Sequence, residues 1–254
     1  MLTPAELAEK LGLRPPTPEQ AAVIQAPLEP MVVMAGAGSG KSETMAGRVV
    51  WLVATGQVRP EQVLGLTFTR KAAAELADRV RKRLAALVAA GLAPPDALSG
   101  EPTVSTYHAY AARLVTDHAL REALEPTMRL ITPAVAWQLA ARVVGQYDGP
   151  MDRVEWGPPT VTAAVLELAG EMAEHLCDVA DVRRVGEWLR ERLAALSGRV
   201  TQAQRRPLDT QRTREQLLPL VEAYQRLKRG QEVLDHGDQM ALAARLAVRH
   251  PEVG

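Results

Sequence analysis

The chain has 254 residues, 47% of them apolar, and its 30 Lys+Arg balance its 30 Asp+Glu; this excludes a disordered chain and leaves nucleic-acid affinity to be argued from local clusters alone. A single cysteine, Cys177, excludes an internal disulfide and a cysteine-based metal cluster, and is expected as a core or half-buried thiol. No signal peptide and no long uncharged apolar run is visible, which predicts a cytoplasmic protein without a membrane partner.

A short helix is expected over 3–11, with Thr3 as its cap and Glu6 three residues later. Pro15-Pro16 break it. Thr17 then caps a second helix, with Pro18 at the first helical position and Gln20 in the capping-box place. Met31–Ala35 reads as a short buried strand, followed by a glycine-rich turn, Lys41-Ser42 and a helix over 43–53. That strand–loop–helix context makes Ala35, Gly36, Ala37, Gly38, Ser39, Gly40, Lys41 and Ser42 a phosphate-binding loop rather than an ordinary flexible turn. Its one departure from G-x-x-x-x-G-K-[ST] is Ala35 at the first position. The glycines let the backbone wrap close to a ligand, and the wrapped amides and positive helix end suit polyphosphate. Lys41 would reach the β- and γ-phosphates and Ser42 would hold Mg²⁺. Gln20 then carries two readings: the capping box alone, or an amide that donates to adenine N7 and accepts from its exocyclic amine. Its position just upstream of the loop favours the second.

Val63–Phe68 reads as a second buried strand. Continuous apolar strands alternating with helices argue a parallel sheet covered on both faces, with ligands at the carboxyl ends of its strands. That end carries Phe68, Thr69, Arg70 and Lys71. A core role is the default for Phe68, the only phenylalanine; yet a ring beside a hydroxyl and two cations is what a single-stranded nucleic-acid site uses. The helix over 72–90 turns Leu76, Val80, Leu84 and Leu87 to one side, and Arg79, Arg81, Lys82 and Arg83 read as a solvated face. After a loop over 91–102, Thr103–Thr106 is a third strand, and Tyr107, His108, Ala109 and Tyr110 open the next helix. His108 is open between a structural and a ligand-facing role.

Thr17-Pro18-Glu19-Gln20, the loop Ala35–Ser42, the run Leu66–Leu76 and Thr106-Tyr107-His108-Ala109-Tyr110 together resemble the amino-terminal part of the UvrD/Rep/PcrA superfamily 1 DNA helicases, densely over 15–115. Alanine at the head of the loop is usual in that family. The resemblance implies a RecA-like domain that binds ATP and Mg²⁺ against a second such domain, and 3′→5′ translocation on single-stranded DNA. Gln20 matches the adenine-reading glutamine; Lys41 and Ser42 match the phosphate and Mg²⁺ residues. Phe68, Thr69, Arg70 and Lys71 match the first DNA-contacting motif, which commonly has Asn in place of Arg70. Thr106, Tyr107 and His108 match the next, where Phe is commoner than Tyr. Glu43 stands where many members carry arginine and is given no role.

From about 120 onward only helices are expected. One spans Pro133–Tyr147, with Val135, Leu139, Val143 and Tyr147 inward. One follows Pro158-Pro159, with Val161, Val165, Leu168, Met172 and Leu176. One carries Val182, Val185, Leu189, Leu193 and Leu196. One opens at Thr213 and Gln216, with Leu217, Val221, Tyr224 and Leu227 inward and Gly230 at its end. Trp137, Trp156 and Trp188 are assigned to the same helical core. Arg183, Arg184, Arg190, Arg192, Arg199, Arg205, Arg206, Arg212 and Arg214 read as solvated faces, some able to meet duplex phosphates. The region resembles the family's helical 1B insertion. Leu234–Met240 opens a last helix, where capping explains Asp235 and Asp238.

The expected fold is therefore an α/β P-loop NTPase, RecA-like with an incomplete parallel sheet, plus an all-α insertion. Residues 1–115 are expected as the first part of domain 1A, 116–232 as the insertion, and 233–254 as the return into 1A. No Asp-Glu pair follows an apolar strand; the family's Asp-Glu-x-Gln motif, its arginine finger and its second RecA-like domain are expected beyond residue 254. The functional expectation is an ATP-binding piece of an ATP-dependent DNA helicase of repair or recombination. It would meet single-stranded DNA and its junctions with duplex, without hydrolysing ATP efficiently by itself. The alternatives are a motor of a helicase–nuclease complex, or a non-catalytic DNA-binding module that keeps the loop as scaffold. A nucleotide kinase would need an acceptor site that is not visible.

Overall fold

The computed structural model describes residues 2–93, 100–122, 124–125, 127–197 and 200–253. Arg199 and part of the 91–102 loop lie outside them. The chain divides into two compact units, Met1–Tyr110 and Ala111–Gly254. No helix among the described residues is long and apolar enough to cross a membrane.

The first unit opens with α1 (Pro4–Lys10) and α2 (Pro18–Ile24), each begun by a full capping box, Thr3 with Glu6 and Thr17 with Gln20. Then come α3 (Lys41–Ala54), β1 (Leu64–Thr67), α4 (Arg70–Ala89) and β2 (Thr103–Thr106), after which α5 (Tyr107–His118) crosses the division between units. The unit's core is the inner face of α4 (Leu76, Val80, Leu84, Leu87) packed on Val50, Trp51, Leu52 and Val53 of α3, with Leu7 and Ile24. The Trp51 indole N–H donates to the Leu2 carbonyl at 2.9 Å, so the ring's one polar atom is satisfied.

Two expectations about the sheet are corrected. β1 and β2 pair in parallel with Thr67 opposite Thr106, but they form a two-stranded sheet whose residues are half-buried or exposed rather than covered on both faces. Residues 31–35 form no strand; Val32 and Met34 are 90% and 94% exposed. An apolar run becomes a strand only when another backbone accepts its hydrogen bonds, and none of the described residues does so here.

The second unit contains β3 (Arg129–Leu130), α6 (Pro133–Gly145), α7 (Pro158–Glu174), α8 (Val179–Ala194), α9 (Gln202–Gly230), β4 (Val233–Leu234) and α10 (His236–Arg249). Its core joins Leu139 and Val143 of α6, Val161, Val165, Leu168 and Met172 of α7, and Leu217, Val221 and Tyr224 of α9. The helices-only expectation misses β3 and β4, which pair in parallel; Arg129 N–H donates to the Glu232 carbonyl and Ile131 N–H to that of Leu234. α9 begins eleven residues before the expected Thr213. Thr201 caps it in a box with Gln204, and Pro207 and Pro219 lie inside it. Each proline removes a helical N–H; packing of Leu217, Leu218, Leu220 and Val221 holds the helix around the second.

The expected inward set is too generous. Trp137, Trp156 and Trp188, with Val135, Leu176, Val185 and Leu196, are exposed. None of the α8 stripe is fully buried; the one buried residue of that helix is Gly186. Cys177 is half-buried, as expected.

At the start of α10, Asp235 and Asp238 form a reciprocal capping box. Lys228, buried near the end of α9, donates to both carboxylates at 2.7 and 2.6 Å and lies over the Tyr224 ring. Burial drives the Asp235 carboxyl up, but the Lys228 charge and the hydrogen bonds around it prevail and hold it below the usual carboxylate range. Burial first, and then the two aspartates, push the Tyr224 hydroxyl far above its ordinary value.

Candidate nucleotide and nucleic-acid site

The loop before α3 turns at Gly36–Ser39, where the Ser39 hydroxyl donates to the Gly36 carbonyl at 2.8 Å. Gly38 and Gly40 have φ of +75° and +84°, the left-handed region that glycine enters without a Cβ penalty. A Cβ on Gly40 would stand 2.8 Å from Gln20 Nε2 and push that amide aside. Gly40 precedes α3 without a side-chain cap. The first-turn amides are therefore left for an anion, and the helix dipole favours one. Lys41 folds back over the loop, its ammonium donating to the carbonyls of Ala35 at 3.0 Å and Gly36 at 2.7 Å. The exposed Ser42 hydroxyl has no hydrogen-bond partner among the described residues. A loop with uncapped amides, a lysine resting only on carbonyls and a free hydroxyl fits a polyphosphate and its Mg²⁺.

Gln20 performs two tasks at once. Its Oε1 accepts from the Thr17 amide at 3.1 Å, completing the capping box, and its Nε2 donates to the Ser39 carbonyl at 3.0 Å. It thus ties α2 to the loop. Arg48 of α3, which sequence reasoning passed over, ties that helix to the end of α2. Its Nη1 donates to the carbonyls of Val23, Ile24 and Ala26, and its Nη2 to that of Pro27. Orphan carbonyls at a helix end call for such a donor, but nothing local in the sequence says which arginine supplies it. Beside the loop, between Gln20, Gly38–Gly40 and the apolar residues of α1 and α2, lies a cavity of about 380 Å³.

A second cluster stands at the carboxyl ends of β1 and β2. Phe68 is 91% exposed, not in the core. Its ring lies 5.3 Å from that of Tyr107, tilted by 37°. The Thr69 hydroxyl caps α4 by accepting from the Ala72 amide at 3.1 Å, and the Thr106 hydroxyl accepts from Ala109 at 3.2 Å. Arg70 is exposed without an acidic partner among the described residues, Lys71 faces Glu75 at 3.9 Å, and His108 is exposed. The structure thus gathers Phe68, Thr69, Arg70, Lys71, Thr106, Tyr107 and His108 at one sheet edge, and Gln20 with Ala35–Ser42 at the loop. The expected solvated face of α4 is only partly that: Arg79 and Arg83 turn to Glu43, while Lys82 pairs with Asp78. In the second unit, Arg183, Arg226, Arg229 and Arg245 line a cavity of about 630 Å³ and have no ion-pair partner among the described residues.

Residues 16–254 match the family model of the UvrD/REP helicase N-terminal domain. The chain belongs to this family. With the UvrD/REP N-terminal domain comes a RecA-like phosphate-loop fold, which the glycine loop, α3 and the parallel pairing of β1 with β2 accord with. Among curated relatives, the chain is 30% identical over 156 residues to the ATP-dependent DNA helicase PcrA of Leuconostoc citreum, which is 61% of this chain and 19% of that protein. It is 30% identical over 182 residues to the ATP-dependent DNA helicase UvrD1 of Mycobacterium leprae, 71% of this chain and 22% of that one. It is 35% identical over 111 residues to DNA helicase IV of Escherichia coli, 44% of this chain and 14% of that one. The matches thus span between 14% and 22% of the length of these relatives.

Proposed function

We propose that this chain is the ATP- and DNA-binding amino-terminal part of an ATP-dependent DNA helicase that translocates 3′→5′ on single-stranded DNA in repair or recombination. One observation carries the reading: a single unit holds both an uncapped glycine loop with Lys41 folded over it and, at the ends of adjacent parallel strands, an exposed ring pair among cations and hydroxyls. The names of the relatives support the same reading.

In this account the amides of Gly36–Lys41 wrap the phosphates, and Lys41 leaves the Ala35 and Gly36 carbonyls for the β- and γ-phosphate oxygens. Ser42 would hold Mg²⁺, which neutralises charge on the transferring phosphate. Gln20 reads adenine. Phe68 and Tyr107 stack bases, while Thr69, Arg70, Lys71, Thr106 and His108 meet the DNA backbone. Residues 1–115 are assigned to domain 1A, 116–232 to a helical 1B insertion and 233–254 to the return into 1A. Residues 1–254 contain no Asp-Glu pair after an apolar strand and no assigned arginine finger. An arginine finger alone is worth about 10³–10⁵ in rate, so this chain by itself is expected to bind nucleotide without efficient turnover. Its DNA partners are single strands and their junctions with duplex.

The test is a titration of a fluorescent ATP analogue with Mg²⁺ into the folded chain and its Lys41→Ala variant. The expected result is binding that the variant weakens about tenfold, or 1.4 kcal/mol. DNA binding that ignores both Mg²⁺–ATP and Lys41 would replace this reading with a non-catalytic DNA-binding module.

A further inference from the structure

Arg83 lies in the fourth turn of α4, forty residues beyond Glu43, yet it lines the same cavity as Gln20, Ser39 and Gly40. Its side chain is only 12% exposed. One nitrogen, Nη2, is ion-paired with Glu43, and Arg79, one turn earlier, reaches the same carboxylate at 3.7 Å. The Nε of Arg83 is buried without a hydrogen-bond partner. A buried donor without an acceptor forfeits its hydration and gains nothing in return, so such groups call for an explanation. A rotation of the guanidinium toward the cavity would bring this N–H to an acceptor on a bound molecule while the Glu43 pairing steers it.

The chemistry of that molecule follows from what surrounds the donor. Arg83 is held on Glu43, which it shares with Arg79, while phosphate already has its own place at Lys41 and the uncapped start of α3. The same cavity is lined in part by Leu7, Ile24 and Val50, all buried and apolar, which suit a flat heterocycle. We propose that Arg83 is a nucleoside-contacting residue, its Nε–H donating to a base nitrogen or ribose oxygen, and that Glu43 is the positioning residue that holds it there. This rests on the nucleotide reading above and assigns the nucleoside end of the same site.

The test is competition for the fluorescent nucleotide by Mg²⁺–ATP and by inorganic tripolyphosphate, in wild type, Arg83→Lys, Arg83→Ala and Lys41→Ala, each checked for folding by circular dichroism. Arg83→Lys keeps the stem, the charge and the pairing with Glu43 but has no Nε–H. The expected result is that Arg83→Lys and Arg83→Ala weaken ATP about tenfold and leave tripolyphosphate within twofold of wild type, while Lys41→Ala weakens both. ATP binding by Arg83→Lys within twofold of wild type would overturn the proposal. So would equal losses for ATP and tripolyphosphate in both Arg83 variants, which would mark a phosphate contact or a structural role. If wild type binds no ATP, or Lys41→Ala binds it unchanged, the nucleotide reading itself falls, and that outcome is distinct from an Arg83 failure.

Discussion

Replacing Lys228 by methionine keeps the stem of the side chain and removes only the ammonium. That ammonium bridges Asp235 and Asp238 at 2.7 and 2.6 Å and joins the end of α9 to the start of α10. Removing one partner of a buried ion pair costs roughly 3–5 kcal/mol, because the remaining charge is left uncompensated. Here the carboxylates keep 30% and 29% of their side-chain exposure and still accept each other's cap amides. The loss is therefore expected at the low end, about 3 kcal/mol at neutral pH. The pH dependence gives a second and sharper readout. In the native protein Asp235 is depressed, so its contribution is fully present above its unfolded value, about 4, and is lost as pH falls through the lower folded value. Without Lys228, burial is opposed only by the hydrogen bonds from the Asp238 amide and the Tyr224 hydroxyl, so the folded value rises and protonation costs the variant less stability than it costs the native protein. The stability gap between the two proteins should narrow as pH falls from about 7 to about 4. Urea unfolding followed by intrinsic fluorescence is suited to this, because Trp137, Trp156 and Trp188 lie in the second unit and only Trp51 in the first. A loss under about 1 kcal/mol at neutral pH, or a gap that stays constant with pH, would refute the reasoning.

Gly40→Ala is expected to destabilise the protein by about 2–3 kcal/mol in chemical denaturation. The left-handed φ costs roughly 1–2 kcal/mol, and the new methyl displaces Gln20 Nε2 from the Ser39 carbonyl, a bond worth about 0.5–1.5 kcal/mol. Phe68→Ala should weaken binding of a labelled oligothymidine in fluorescence anisotropy by about 1–3 kcal/mol and leave ATP affinity unchanged; unchanged oligonucleotide affinity would remove Phe68 from the DNA site. Because the ring is exposed, its loss should not lower the unfolding free energy.

What the sequence makes legible is what neighbours in the chain decide. The capping boxes of Thr3 and Thr17 and the buried face Leu76, Val80, Leu84 and Leu87 follow from spacings of three and four, and the structure has them. The run Met31–Ala35 has strand composition, but a strand is a statement about its partners, and composition names none. Trp137 and Trp188 look like core by size, yet α6 and α8 carry more apolar residues than their inner faces bury, and Trp156 stands before α7, outside any helix. Pro207 argues against a helix interior, and only the box of Thr201 with Gln204 tells that α9 has already begun. At the candidate site, the loop and the strand-end residues are visible as motifs, whereas Arg48 on the carbonyls that end α2, Arg83 on Glu43 and Lys228 on its two aspartates are pairings across space. One positive charge among 30 carries no mark of which carboxylate or carbonyl it will meet.

The two rings at the sheet edge stand on attachment points that the strand register sets. Phe68 and Tyr107 each follow the last residue of a strand, and those last residues, Thr67 and Thr106, are register partners. Neighbouring strands run about 4.8 Å apart, and the ring centroids stand 5.3 Å apart. A flat base held between two rings needs about 7 Å, twice a van der Waals stacking distance. At this spacing the two rings leave no slot for a base between them. On the proposed reading, bases would meet only their outer surfaces, and Phe68 and Tyr107 would make a step over which a strand passes, not a vice that grips one base.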